Sequence, residues 1–146
     1  MLKIAHRGLL HGPDSTKENT VAQIKIALSL GFNVELDVRL IDGKLYLGHD
    51  KPQERIDVSF LENPRIWTHC KTISAFNLLI DNEYVNCFTH NDEDYVITSK
   101  GYVWGHSRHG KFIYDTFLPK RKIIAEYAND WLLRVISNIE KEDFSI

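Results

Sequence analysis

Asn33-Val34-Glu35-Leu36-Asp37-Val38-Arg39-Leu40 alternates without a break. Val34, Leu36, Val38 and Leu40 share one face of an extended chain, and Asn33, Glu35, Asp37 and Arg39 share the other. A period of two sustained this long predicts a strand. Just after it, Asp42-Gly43 has the chemistry of a tight turn, so Lys44 to Gly48 is expected to return as a hairpin. Just before it, Val21, Ile24, Ala27 and Leu28 recur at helical spacing up to Gly31, which stands where a helix stop belongs. Ser15-Thr16-Lys17-Glu18 has the spacing of a capping box for that helix. Leu2 to Arg7 is a short apolar strand entering a Gly/His/Pro-rich loop over Gly8 to Asp14. The opening unit is therefore strand, helix, strand.

The alternation of elements continues downstream. Arg65 to Lys71 reads as a strand, Ile73 to Ile80 as a short helix with Ala75, Leu78 and Leu79 toward the core, and Val85 to His90 as a further strand. Lys51 to Asn63 reads as loop. Tyr95 to Thr98 and Tyr102 to His106 are two extended pieces around Lys100-Gly101, and Lys122 to Ala128 is a last strand beyond a polar loop holding Arg108, His109 and Gly110. Asp130 is expected to cap a closing helix whose buried stripe is Leu132, Leu133, Val135, Ile136 and Ile139. Repeats, low-complexity tracts and linkers are absent from the sequence.

With 146 residues and 43% hydrophobic content, the chain suits one domain spanning residues 1–146. Its 18 basic and 20 acidic side chains leave a net charge of −2, so an anionic ligand must be held locally rather than by bulk attraction. The basic and aromatic surface that tracks a nucleic-acid backbone is missing, which argues against a nucleic-acid partner. The sequence has neither a secretory leader pattern nor an apolar run of bilayer length, and a soluble cytoplasmic protein is the expectation. Cys70 and Cys87 fall in predicted strands and read as reduced, packed thiols rather than a disulfide framework.

The chemistry-bearing residues cluster by strand end. His6, His49, His69, His90 and His106 each lie at or near the C-terminal end of a predicted strand, the edge where α/β sheets assemble their sites. Glu35 and Asp37 lie two apart on one face, roughly 6 to 7 Å along the strand, which lets both carboxylates reach one cation or else form a solvated polar face. Histidine is the side chain whose ordinary pKa lies near neutrality, so His6 and His49 are either structural or an acid–base pair. Arg7 and Lys71 either contact a phosphate, Arg7 as a bidentate clamp and Lys71 as a point charge, or pair with carboxylates. Glu18 either orients Arg7 or belongs to the capping box. His90 either completes a metal shell, contacts substrate or caps a strand, with substrate contact favoured over metal, and Trp104 either packs the core or stacks on a substrate head group.

His6-Arg7-Gly8, Glu18-Asn19-Thr20, Glu35-Leu36-Asp37-Val38, Asp42-Gly43 and His49-Asp50, in this order and spacing, resemble the N-terminal signature of the glycerophosphodiester phosphodiesterases. These enzymes share a superfamily of barrels with the phosphatidylinositol-specific phospholipases C. The detailed likeness covers about the first 50 residues. A looser one runs through Trp67-Thr68-His69-Cys70-Lys71 and Asn129-Asp130-Trp131. The resemblance implies that His6 and His49 are the catalytic acid and base, that Glu35 and Asp37 are metal ligands, and that Arg7 and Lys71 contact phosphate. It further implies a cyclic phosphate intermediate where the substrate carries a neighbouring hydroxyl.

His69 stands where the family normally has a liganding glutamate, and Lys17 where it has proline. The implied cofactor is a divalent cation: Mg2+ or Ca2+ in the family's manner, Mn2+ or Zn2+ if His69 is a ligand. The implied partner is a small glycerol-type phosphodiester. The implied fold is an abbreviated or incomplete TIM-like (β/α) barrel of about six or seven strands, since a full barrel needs about 250 residues. Its open edge is then either covered by a second subunit, as a homo-oligomer, or left as exposed edge strands in a monomer. The alternative function is a catalytically inactive phosphate-binding or regulatory module descended from such an enzyme.

Overall fold

The structure, a computed structural model, describes residues 3–93, 95–107, 123–127 and 130–134. Strand β1 (Lys3–His6) leads through helix α1 (Val21–Ser29) to the long strand β2 (Asn33–Ile41), as the sequence pattern predicts. The helix starts later than the capping box implies. Thr20 is its N-cap, with Oγ1 accepting from the Gln23 N–H at 3.3 Å. The Glu18 carboxylate is instead taken by Arg7, because a charge-assisted pair outweighs one capping hydrogen bond.

The turn at Asp42-Gly43 has positive φ at both residues, 48° and 71°, which matches the twist of a two-residue hairpin. It returns β3 (Lys44–Leu47) antiparallel to the far half of β2. The stretch read as loop then holds a short strand β4 (Glu54–Ile56) and a single-turn helix α2 (Val58–Leu61). Edge pairing on β3 and the burial of Ile56 and Leu61 order that segment. Strand β5 (Ile66–Cys70), helix α3 (Ile73–Leu79) and strand β6 (Asn86–Phe88) follow, and Thr72 caps α3 through its side chain. Further on are β7 (Tyr95–Ile97), β8 (Val103–Ser107), β9 (Ile123–Tyr127) and β10 (Asp130–Arg134).

The helix expected from Asp130 is thus extended chain over Asp130–Arg134, paired antiparallel to β1 with Ile4 opposite Leu133. With one edge of β1 taken by β2, the other edge offers unpaired backbone groups, and satisfying them overrides local helical periodicity. The rest of that expected helix and the polar loop around Arg108 and His109 lie outside the described residues.

The barrel expectation is overturned. Among the described residues the strands form one mixed, open sheet, ordered β4-β3-β2-β1-β10-β9-β8-β7, with β5 on the other edge of β2 and β6 beyond it. Among the described residues three helices accompany it, where a (β/α) barrel needs one after each parallel strand. The reason lies in the connections. Hairpin returns place β3 on β2, β4 on β3 and β8 on β7, and antiparallel neighbours need no helical crossover. Among the described strands, only β1–β2, β2–β5, β5–β6 and β8–β9 are parallel. Among the described residues the end strands β6 and β7 share no ladder. Two hydrogen bonds between Cys87 and Ser99, just past β7, tie these ends together instead.

Both faces of the parallel region are covered. Ala5, Val34, Leu36, Val38, Ile66, Cys70 and Cys87 form one apolar layer with Ile24 and Ala27 of α1 and Ala75 and Leu79 of α3. Both cysteines are free and buried there, as the sequence suggests. On the opposite face, Ile4, Trp67, Phe88 and Trp104 make a smaller aromatic cluster. No helix among the described residues is long and apolar enough to cross a membrane.

Candidate functional site

β1, β2, β5 and β6 run parallel, so their C-terminal ends meet along one rim, and register decides what converges there. His6 is level with Glu35, Glu35 with Trp67, and Asp37 with His69 and in turn Phe88. Glu35 and Asp37 are each 1% exposed, which excludes the solvated-face reading of these carboxylates. Glu35, Asp37 and His69 can each offer one ligand atom, all within 4.8 Å of one another.

Every one of these side chains is held from behind. Glu35 Oε2 accepts from the Arg7 backbone N–H at 3.1 Å and lies 3.7 Å from His6 Nε2. Asn19 reads Asp37 twice: its Nδ2 donates to Oδ2, and its Oδ1 accepts from the Asp37 N–H, both at 2.9 Å. His69 Nε2 lies 3.0 Å from the His90 carbonyl oxygen, and a carbonyl only accepts, so that nitrogen carries the proton. The opposite nitrogen, Nδ1, faces Glu35 Oε1 at 3.7 Å and Asp37 Oδ1 at 3.1 Å. Asp37 Oδ1 is buried, and the contact on that oxygen is the ion pair with His69 Nδ1. The His69 ring stacks on Phe88, centroids 5.1 Å apart and 7° from parallel.

The charges of these side chains balance locally. Burial disfavours a charged His69, but its contacts with Asp37 and Glu35 prevail and push its pKa up to about 9. Burial likewise works against the Asp37 carboxylate, yet His69, Asn19 and the nearby His49 hold its pKa well below the usual value.

Arg7 sits at the end of β1 with φ of 53°, a left-handed conformation unusual for a side chain of its size. That twist aims its N–H at Glu35 while its guanidinium reaches Glu18, Nη1 lying 3.2 and 3.3 Å from the two oxygens. Its Nε is 3.4 Å from Asp37 Oδ2. The sequence left Glu18 between cap and orienting residue, and the geometry selects the second. On the other side of the rim, Lys71 Nζ lies 3.4 Å from His49 Nε2, and His49 Nδ1 lies 2.7 Å from Asp50 Oδ1.

The His49 loop is itself pinned. The Arg39 guanidinium donates to the carbonyls of Gly48 and His49, and a side chain at Gly48 (φ 144°) would collide with the Lys51 carbonyl oxygen. The structure thus joins Glu35, Asp37, His69, His6 and Arg7 through direct contacts, and links Lys71 to His49. His90 is buried, with its ring Nε2 2.7 Å from the Glu93 carbonyl oxygen. Trp104 is fully buried and packs on Phe88 and Trp67 beneath the His69 ring. The side chain of His106 lies outside the described residues.

Three participants have no role in the sequence reading: Asn19 stands inside a motif, Phe88 inside the strand predicted over Val85 to His90, and Arg39 on the polar face it shares with Glu35 and Asp37. The signal for Asn19 was available: an amide beside a helix start, in a segment otherwise explained by Thr20, has no local job. Comparisons with protein-family models, with curated proteins and with solved structures give no match to this chain.

Proposed function

We propose that the chain is a metal-dependent phosphodiester hydrolase acting on a small glycerol-type phosphodiester by histidine acid–base chemistry. The observation that carries this reading is the convergence of Glu35 Oε1, Asp37 Oδ1 and His69 Nδ1 on one small space, with both carboxylates buried. A divalent cation bound there would polarise a non-bridging phosphate oxygen and acidify the attacking hydroxyl.

The surrounding residues divide the remaining work. Asp50 holds its carboxylate below the usual range through its contact with His49, so it accepts, and His49 Nδ1 carries the proton. His49 Nε2 then presents a lone pair, held toward Lys71, and acts as the base that takes the proton from the attacking hydroxyl. His6, next to the Glu35 carboxylate, is the acid that protonates the leaving alkoxide as the phosphorus–oxygen bond breaks. Arg7 and Lys71 contribute positive charge where the phosphate becomes more negative.

The test is hydrolysis of bis(p-nitrophenyl) phosphate and of a glycerol phosphodiester by the purified chain with divalent ions supplied singly. Release should require the ion and fall to background in His49→Ala and His6→Ala, each still cooperatively folded. Binding of a phosphate ligand without turnover under any ion would replace the enzyme reading with that of a binding module.

A further inference from the structure

The three converging atoms are not an oxygen-only set. We infer that this site selects a first-row transition cation of the Mn2+, Co2+ and Zn2+ kind over Mg2+ and Ca2+. The inference rests on the metal reading above and adds the chemical class of the ion.

The tautomer supplies the nitrogen. With the His69 Nε2 proton held 3.0 Å from the His90 carbonyl oxygen, the neutral ring has its free lone pair on Nδ1, directed between the two carboxylates. An imidazole whose far nitrogen is bound to a backbone carbonyl is an oriented metal ligand. Imidazole nitrogen suits Zn2+ and its first-row neighbours, while Ca2+ and Mg2+ favour oxygen alone.

The carboxylates point the same way. Ca2+ is satisfied by six to eight oxygens, often with carboxylates binding through both atoms. Here each carboxylate has one oxygen already engaged. Glu35 Oε2 is taken by the Arg7 N–H, and Asp37 Oδ2 by Asn19 and the Arg7 guanidinium. Only Glu35 Oε1 and Asp37 Oδ1 face His69, so each acid offers a single atom. Two single oxygens and one imidazole nitrogen make a three-point site with positions left for water and substrate, an arrangement that small borderline cations accept. Phe88, stacked on the imidazole, keeps the ring from turning away.

The experiment titrates chelator-stripped full chain with Mn2+, Co2+, Zn2+, Mg2+ and Ca2+, reading the melting temperature and the dissociation constant. A pulsed EPR spectrum of the Mn2+-loaded chain is recorded in parallel. Mn2+, Co2+ and Zn2+ should bind at least an order of magnitude more tightly than Mg2+ or Ca2+, and the Mn2+ spectrum should carry the modulation of a coordinated imidazole nitrogen. His69→Glu should narrow or invert the preference and abolish that modulation; His69→Gln, which adds no charge, should abolish it too.

Equal or tighter binding of Mg2+ or Ca2+ by the unaltered chain overturns the inference while leaving the hydrolase reading standing. Selective binding of transition ions without turnover upholds the inference and removes the hydrolase. Absence of binding by any ion ends both.

Discussion

The two faces of strands β1, β2 and β5 are made by the same alternation and both are buried, yet they behave as different materials. Toward the helices the face is apolar apart from the buried Thr68 level with Leu36: Ala5, Val34, Leu36, Val38, Ile66 and Cys70 meet α1 and α3. The opposite face is graded along the strands. Ile4 and Trp67 lie with Phe88 and Trp104 in an aromatic cluster, and toward the C-terminal rim come His6, Glu35, Asp37 and His69. One face holds the sheet to its helices through area removed from water. The other maintains buried charge, which costs free energy unless every group is oriented and compensated. The lesson is a division of labour: the apolar face supplies the stability that lets the ionisable face exist.

The sharpest way to break that comparison is to substitute matched positions on the two faces. Leu36→Ala should lower unfolding free energy by about 2–5 kcal/mol in a denaturant titration, because the fully buried side chain leaves a cavity beneath the helices. Its folded fraction should bind metal normally. Next in size, Asn19→Ala removes the amide that holds both Asp37 Oδ2 and the Asp37 N–H, and should weaken metal binding about 10–100-fold by calorimetry. A loss of metal binding by folded Leu36→Ala, or an unchanged affinity in Asn19→Ala, would dissolve the division.

The smallest effect sharpens it through pH. In chelated protein the folded His69 pKa stands near 9 against an ordinary 6.5. A raised basic pKa means that the stabilisation is complete below pH 6.5 and is lost as pH climbs toward 9. Melting temperature should therefore fall across that window, and His69→Gln should flatten the decline. A chelated wild-type chain whose melting temperature holds level from pH 6.5 to 9 would mean that the imidazolium does not balance Asp37 and Glu35.

What could be read in advance follows from range. Strand β2, its hairpin at Asp42-Gly43 and the Glu35–Asp37 pair are set by neighbours in sequence, and their alternation was legible. The start of α1 was misread because Ser15 to Glu18 has the right local spacing, while a residue on another strand end, Arg7, claims the Glu18 carboxylate. The closing segment was misread for a similar reason. Leu132 and Leu133 fit a helical stripe, but the open edge of β1 recruits them as strand.

By itself the sequence determined which side chains share a strand face, where the hairpin turns, and that two acids, several histidines and two cations lie at strand ends. Those facts depend on backbone periodicity and local turn chemistry, which act within a few residues. Only the tertiary structure decided that the sheet is mixed and open rather than a barrel, that Asn19 backs Asp37, and that the His90 carbonyl fixes the tautomer of His69. Each of these arises from backbone groups or buried polar atoms finding partners far along the chain, and no local pattern encodes which partner will be nearest once the sheet has assembled.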